Sequence, residues 1–225
     1  MSDFVCEILI LEIMKKLILI SGVLFSLLIS RQEAHAQNQS VLSLGPVIGF
    51  GHSGVSNVSG MSSEFRSSFL IGFTATYSTQ THWGYGADIL YSLEGGKYSS
   101  SISDYRSTLG YIRIPLRAGY YFNETGARFR PKITLGPTLG FIAHAQEELQ
   151  ALNITIKNNL DKSEIRNFDL GLEGAVGFNY SLSDQMWLTV DIGYYQGLLD
   201  VYKAANSGNN LNNNLRLKAG VTFGL

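Results

Sequence analysis

"YIRIPLRAGYYF", residues 111–122, decides how this chain is read. β-Branched and aromatic residues dominate it, so it reads as a strand. Successive side chains of a strand point to opposite faces. Ile112, Ile114, Leu116, Ala118, Tyr120 and Phe122 therefore share one side, and Arg113, Pro115, Arg117, Gly119 and Tyr121 the other. One face carries both arginines and the other carries no charge, so the two faces meet different surroundings.

The same pattern recurs along the chain. Eight segments alternate with period two, at approximately 41–51, 68–78, 84–94, 109–122, 130–143, 166–180, 185–199 and 213–225. In the last, Leu215, Leu217, Ala219, Val221, Phe223 and Leu225 oppose Arg216, Lys218, Gly220, Thr222 and Gly224. In the sixth, Phe168, Leu170, Leu172, Val176 and Phe178 oppose Asp169, Gly171, Glu173, Gly177 and Asn179. Short connections at 79–83, 123–129 and 181–184 alternate with long ones at 52–67, 95–108, 144–165 and 200–212. Tight turns at one end and long polar loops at the other predict an all-β, eight-stranded antiparallel up-and-down barrel.

Which face is inside separates a soluble barrel from a membrane barrel. The uncharged face suits lipid, where a Lys or Arg at the midplane costs about 2–4 kcal/mol. The charged face is crowded with glycine, among them Gly45, Gly49, Gly72, Gly86, Gly119, Gly136, Gly140, Gly171, Gly193 and Gly220. Small residues beside long charged ones suit a narrow lumen filled by side chains. Aromatic residues gather near the strand ends: Tyr77, Trp83, Tyr85, Phe122, Phe129, Tyr180, Trp187 and Phe223 at the turn end, and Phe50, Tyr91, Phe141, Phe168, Tyr194 and Tyr202 at the loop end. Such girdles fit the two membrane interfaces. A soluble ligand-binding barrel, apolar inside and polar outside, is the rival architecture.

The lumen face then holds five acids, Asp88, Glu94, Asp169, Glu173 and Asp191, and five bases, Arg113, Arg117, Lys132, Arg216 and Lys218. A charge in a narrow space needs a partner to offset its desolvation. Antiparallel partners keep a constant index sum, and Asp88 with Arg117 and Glu94 with Arg113 differ by only two in that sum. A paired network that plugs the lumen is expected, with Asp191 beside Lys218 or Arg216 and Lys132 facing only polar groups. Pro115 removes one ladder donor, so a bulge or a bound water is expected there.

Residues 1–36 read as a targeting segment. Lys15 and Lys16 precede an apolar run from Leu17 to Ile29, and Ala34-His35-Ala36 is a cleavage signature that makes Gln37 the first mature residue. The run is too short to span a membrane as a helix. Glu7 and Glu12 ahead of it place the true start at Met14. The mature chain, 37–225, then lacks cysteine, since Cys6 is the only one, and has equal numbers of acidic and basic side chains. Disulfides and thiol chemistry are excluded, and a neutral chain has no bulk attraction for nucleic acid.

Sites of chemistry are few. His52 and His144 lie at the loop end, and His82 in a turn, without the spacing of a metal site or a triad. No catalytic residue, metal or cofactor is expected. "LGPVIGF" at 44–50 recurs as "LGPTLGF" at 135–141, and "LRAG" at 116–119 as "LKAG" at 217–220. Similar selection at similar sites explains this more simply than a duplicated four-strand unit. Leu152, Ile154 and Ile156 alternate with Asn153, Thr155 and Lys157, as in a hairpin extended above the membrane.

Three stretches, "YIRIPLRAGYYF", "RPKITLGPTLGFIAH" at 130–144 and "NFDLGLEGAVGFNY" at 167–180, resemble the PorT-like outer-membrane β-barrel domain family, often labelled porin family. The motif residues are Tyr111, Ile114, Pro115 and Leu116, then Gly136 and Pro137, then Asp169 and Gly171. The resemblance implies an eight-stranded outer-membrane barrel, exported through a cleaved signal peptide and inserted by the barrel-assembly machinery. It departs from such barrels in ending Phe223-Gly224-Leu225 instead of on an aromatic residue. The expected function is structural or binding and not enzymatic: a monomer in outer-membrane lipid, its lumen closed by charge, its loops contacting an extracellular ligand or protein. A small porin-like channel is the alternative, and a rim enzyme acting on lipid or peptide is third.

Overall fold

A computed structural model describes residues 41–56, 62–79, 81–99, 104–151, 154–159, 165–203 and 210–225. The targeting segment, with Met14, Ala34 and Ala36, lies outside the described residues. The strands are β1 (Val41–Val55), β2 (Ser62–Glu64), β3 (Arg66–Ser78), β4 (Trp83–Ser99), β5 (Asp104–Tyr121), β6 (Phe129–Ala151), β7 (Ile154–Asn159), β8 (Phe168–Ser183), β9 (Met186–Asp200) and β10 (Leu211–Gly224). β1, β3, β4, β5, β6, β8, β9 and β10 each pair antiparallel with the next, and β10 pairs with β1. The result is a closed eight-stranded barrel with no sheet edge around its wall.

The alternation sorts side chains as the sequence does. Ile71, Phe73, Ile89, Leu116, Ile133, Leu135, Leu172, Val176, Ile192, Leu215 and Leu217 are exposed on the outside. In water such a surface would be an aggregation hazard; in a bilayer it is the contact with acyl chains. At the turn end Tyr120 packs edge-on against Trp83 and Phe122, at centroid distances of 5.4 and 5.6 Å. Two aromatics depart from the expected girdles. Trp187 pairs with lumen-facing Thr222 and so shares the inner face. Tyr202 bridges Ile165 and packs on a buried apolar cluster above the lumen.

Three further differences have physical reasons. First, much of 95–108 and 144–159 is sheet, not loop. β4 continues to Ser99, β5 begins at Asp104, and β6 reaches Ala151 and pairs with β7. The polarity of this part marks water, not a loss of strand: Lys97 faces Arg106, which faces Glu148, in continuous register. Second, there is no bulge at Pro115. Pairing between β4 and β5 skips Pro115 and resumes in the same register. The shift lies between β5 and β6, where Gly110 faces His144 but Tyr111 faces Ile142, leaving Ala143 as the extra residue. A side chain at Gly110 would collide with the His144 ring, so glycine there makes room for it. Third, the repeated motifs meet in different registers. Leu217 pairs with Phe50, four residues beyond the Pro46 that strict duplication of the β5–β6 pairing requires.

Close approach of neighbouring backbones fixes two of the glycines. A Cβ on Gly45 would run into the Val221 carbonyl, and one on Gly136 into the Leu116 carbonyl. Both precede a proline, and both lie where the ladder to the preceding barrel strand is interrupted.

Candidate functional site

The lumen is the only place where this fold concentrates chemistry among the described residues. All ten predicted charges point into it, and each is at least nine-tenths buried. They separate into two groups.

The loop-end group is centred on Arg113, which is fully buried. Its Nε and Nη2 donate to Glu94 Oε1 and Oε2 at 3.0 and 2.6 Å. Its Nη1 donates to Asp169 Oδ2 at 2.7 Å, and the Tyr195 hydroxyl donates to the same oxygen at 2.8 Å. The guanidinium stacks on the rings of Tyr111 and Tyr195, 4.1 and 4.3 Å from their centroids. Ser92 and Asn212 donate to Glu94 at 2.8 and 2.7 Å. Arg216 pairs with Glu173, which also accepts from Thr138 at 3.1 Å. Asp191 is thus not the partner of Arg216.

The turn-end group is built around Asp88 and Asp191. Arg117 pairs with Asp88 and donates to Thr74 at 2.9 Å. Lys218 Nζ donates to Asp88 Oδ2 at 2.7 Å and lies 3.8 Å from Asp191. Lys132 does not face polar groups alone. It is 2.9 Å from Asp191 Oδ1, and it donates to Asn179 and Thr189 at 2.9 and 2.8 Å. β6 and β9 both flank β8, where Lys132 and Asp191 each stand opposite Gly177, so the contact passes over a strand that has no side chain there.

Between the groups lies a non-ionic waist. Leu90 separates Asp88 from Glu94 along β4, and Pro115 separates Arg117 from Arg113 along β5. Leu90 packs with Val47 and Leu70 in a buried cluster. Above the loop-end group, Val55, Leu109, Tyr111, Ile165 and Val201 form a second apolar cluster. It is roofed by chain that hydrogen-bonds to itself, Arg166 N to Val201 O and Val201 N to Asn210 O, both at 2.9 Å. Of the two clusters only Tyr111 is among the residues singled out in the sequence, and buried Arg130, which stacks on Tyr121 at 4.3 Å, is not. Arg130 was readable: it shares the phase of Lys132 two positions on.

The sequence profile of the family described as outer membrane protein beta-barrel domain matches residues 35–203. This chain belongs to that family. Comparison with curated proteins finds no match. Among solved structures it is similar to the outer membrane protein OprG of Pseudomonas aeruginosa, at 14% identity and a TM-score of 0.52, covering 83% of this chain and 96% of that one. It is also similar to Neisserial surface protein A, at 16% identity and a TM-score of 0.47, over 85% of this chain and 100% of that one. A third is Ail of Yersinia pestis, solved with the heparin analogue sucrose octasulfate, at 13% identity, a TM-score of 0.42, and coverage of 82% and 99%. At these identities the likeness is one of fold.

As a member of the outer-membrane β-barrel family, the protein resides in the outer membrane. Its histidines occupy scattered places on that barrel. His52 is exposed on β1, and His144 lies on β6, four strands away around the wall, stacked on Tyr91 at 6.2 Å. His82 Nδ1 sits 2.8 Å from the Tyr121 carbonyl in a turn. Among the described residues no cluster of His, Cys, Asp and Glu could hold a metal ion.

Proposed function

We propose that the protein is a closed barrel of the PorT-like branch, a structural or binding protein that carries a raised sheet outside the cell and passes no solute. One observation supports this reading above the others: the ten lumen charges are spent on one another. Pairs from β4, β5, β6, β8, β9 and β10 meet in the lumen, and two cavities there are about 10 Å³ each, room for about one water. About 16 strands are needed before a barrel leaves a wide aqueous channel. The raised part comprises β2, the upper halves of β4, β5 and β6, and β7. It rises at the loop end, which in this class of barrel faces outward from the cell, and it supplies the surface for an extracellular partner.

The test is conductance of the inserted protein in planar bilayers, with a heat-dependent gel shift to establish insertion. Silence from an inserted barrel is the expected result. Steady, ion-selective steps would replace this reading with that of a small channel, and the Arg113 and Arg117 pairs would then be its gate.

A further inference from the structure

The two lumen groups carry opposite net charge. The loop-end group has three acids, Glu94, Asp169 and Glu173, against two bases, Arg113 and Arg216. The turn-end group has two acids, Asp88 and Asp191, against three bases, Arg117, Lys132 and Lys218. Buried Arg130 adds to the positive side at the same end. An excess charge in a desolvated space is costly unless something meets it.

The loop-end acids are met by donors and a stacked cation. Four donors serve Glu94, and Arg113 is held between acids and stacked on aromatic rings. The turn-end excess has a chamber beside it. A cavity of about 10 Å³ is lined by Arg117, Lys132, Lys218 and Asp191 and by the hydroxyls of Ser43, Thr74, Thr76, Thr189 and Thr222. Arg117 is buried, and its Nε has no hydrogen-bond partner. A buried, unpartnered guanidinium N–H on the wall of a polar cavity is a donor without an acceptor.

We propose that this chamber binds one small monovalent anion of the size of chloride. Three cationic side chains and hydroxyl donors surround it, and the anion brings the five-residue group to neutrality. The cavity, about one water in size, takes a monatomic halide when the lysine side chains around it shift outward, and it rejects an organic anion. The two buried acids restrict it to a single negative charge.

The experiment compares thermal unfolding of the full-length protein, extracted in detergent, in sodium chloride and in sodium gluconate at matched ionic strength. Chloride at about a hundredfold excess over its dissociation constant should raise the midpoint by about 5 °C. Lys132→Met removes the excess charge, and the difference between the two salts should vanish in it. Equal midpoints for the unaltered protein would overturn the proposal, since they would mean that the chamber relieves its charge without an ion, for instance by loss of the Lys132 proton. A difference that persists in Lys132→Met would also overturn it, as an effect of salt on the surface. Because that variant can fail to fold, chloride-35 NMR on the unaltered protein gives an independent answer. Protein-dependent line broadening that bromide reverses is expected; no broadening beyond that of detergent alone would refute the site.

Discussion

At the loop end of the lumen, one arginine is held by two carboxylates and stacked on two tyrosine rings. At the turn end, two lysines and an arginine share two aspartates around a space large enough for a water. The groups have five charged side chains each, and a small cavity lies beside the second. The difference follows from donor geometry. A guanidinium is planar and offers a fixed fork that matches a carboxylate, whereas an ammonium is a point charge on a flexible stem. Arg113 is therefore matched to fixed acceptors at Nε, Nη1 and Nη2. Lys132 reaches over β8 and Lys218 over β1 and β3, from the ends of long chains, and a cavity lies beside them. A closed plug and a chamber are made from similar residues by this choice.

The strongest way to break the comparison is to remove the centre of the packed group. Arg113→Leu leaves Glu94 and Asp169 buried without their cation and should cost about 3–5 kcal/mol, read from urea unfolding in detergent or bilayer vesicles. A loss below about 1 kcal/mol would show that the loop-end group is wetter than its geometry states. Backbone approach gives the next effect. Gly136→Ala should destabilise by about 1–3 kcal/mol, because its new methyl meets the Leu116 carbonyl. Gly174→Ala, where the nearest atom is 3.7 Å away, should stay within about 0.5 kcal/mol.

Double-mutant cycles sharpen the contrast itself. Glu94→Gln with Arg113→Gln should show a coupling of about 2–3 kcal/mol, and Asp88→Asn with Arg117→Gln about 1 kcal/mol, since Lys218 remains to serve Asp88. Equal couplings would remove the distinction between plug and chamber. The smallest effect belongs to the rim. His52→Ala and His144→Ala should each change stability by less than about 0.5 kcal/mol, and should leave any hydrolase activity of the purified protein unaltered. A lost activity would restore the rim-enzyme reading.

The parts legible in the sequence are those that depend on neighbours in one strand or in two adjacent strands. Ile112, Ile114 and Leu116 against Arg113 and Arg117 report the faces, because lipid tolerates no exception on its side. Asp88 with Arg117, and Glu94 with Arg113, can be located by counting along one hairpin. Contacts beyond adjacent strands cannot. Arg113 with Asp169, Lys132 with Asp191 and Arg216 with Glu173 pass over one intervening strand, and Lys218 reaches Asp88 over two, so each depends on more than one ladder register. Buried Val47, Leu70 and Leu90 were hidden for another reason: an apolar residue in the lumen phase carries no mark that separates it from one facing lipid. The bulge at Ala143 is equally silent, since its signal is the shape of the His144 ring over Gly110 and not a residue type.

The raised wall has a mechanical consequence. β4, β5 and β6 run without interruption from Trp83, Tyr121 and Phe129 at the turn end to Ser99, Asp104 and Ala151 beyond the lumen. Apart from the bulge at Ala143, no shift of register separates the lower part of this wall from the upper. A pull on the upper sheet is therefore carried in shear by the ladders of the barrel itself and divided over many bonds at once. The protrusion moves as a lever fixed in its socket, and whatever grips it outside the cell grips the whole barrel.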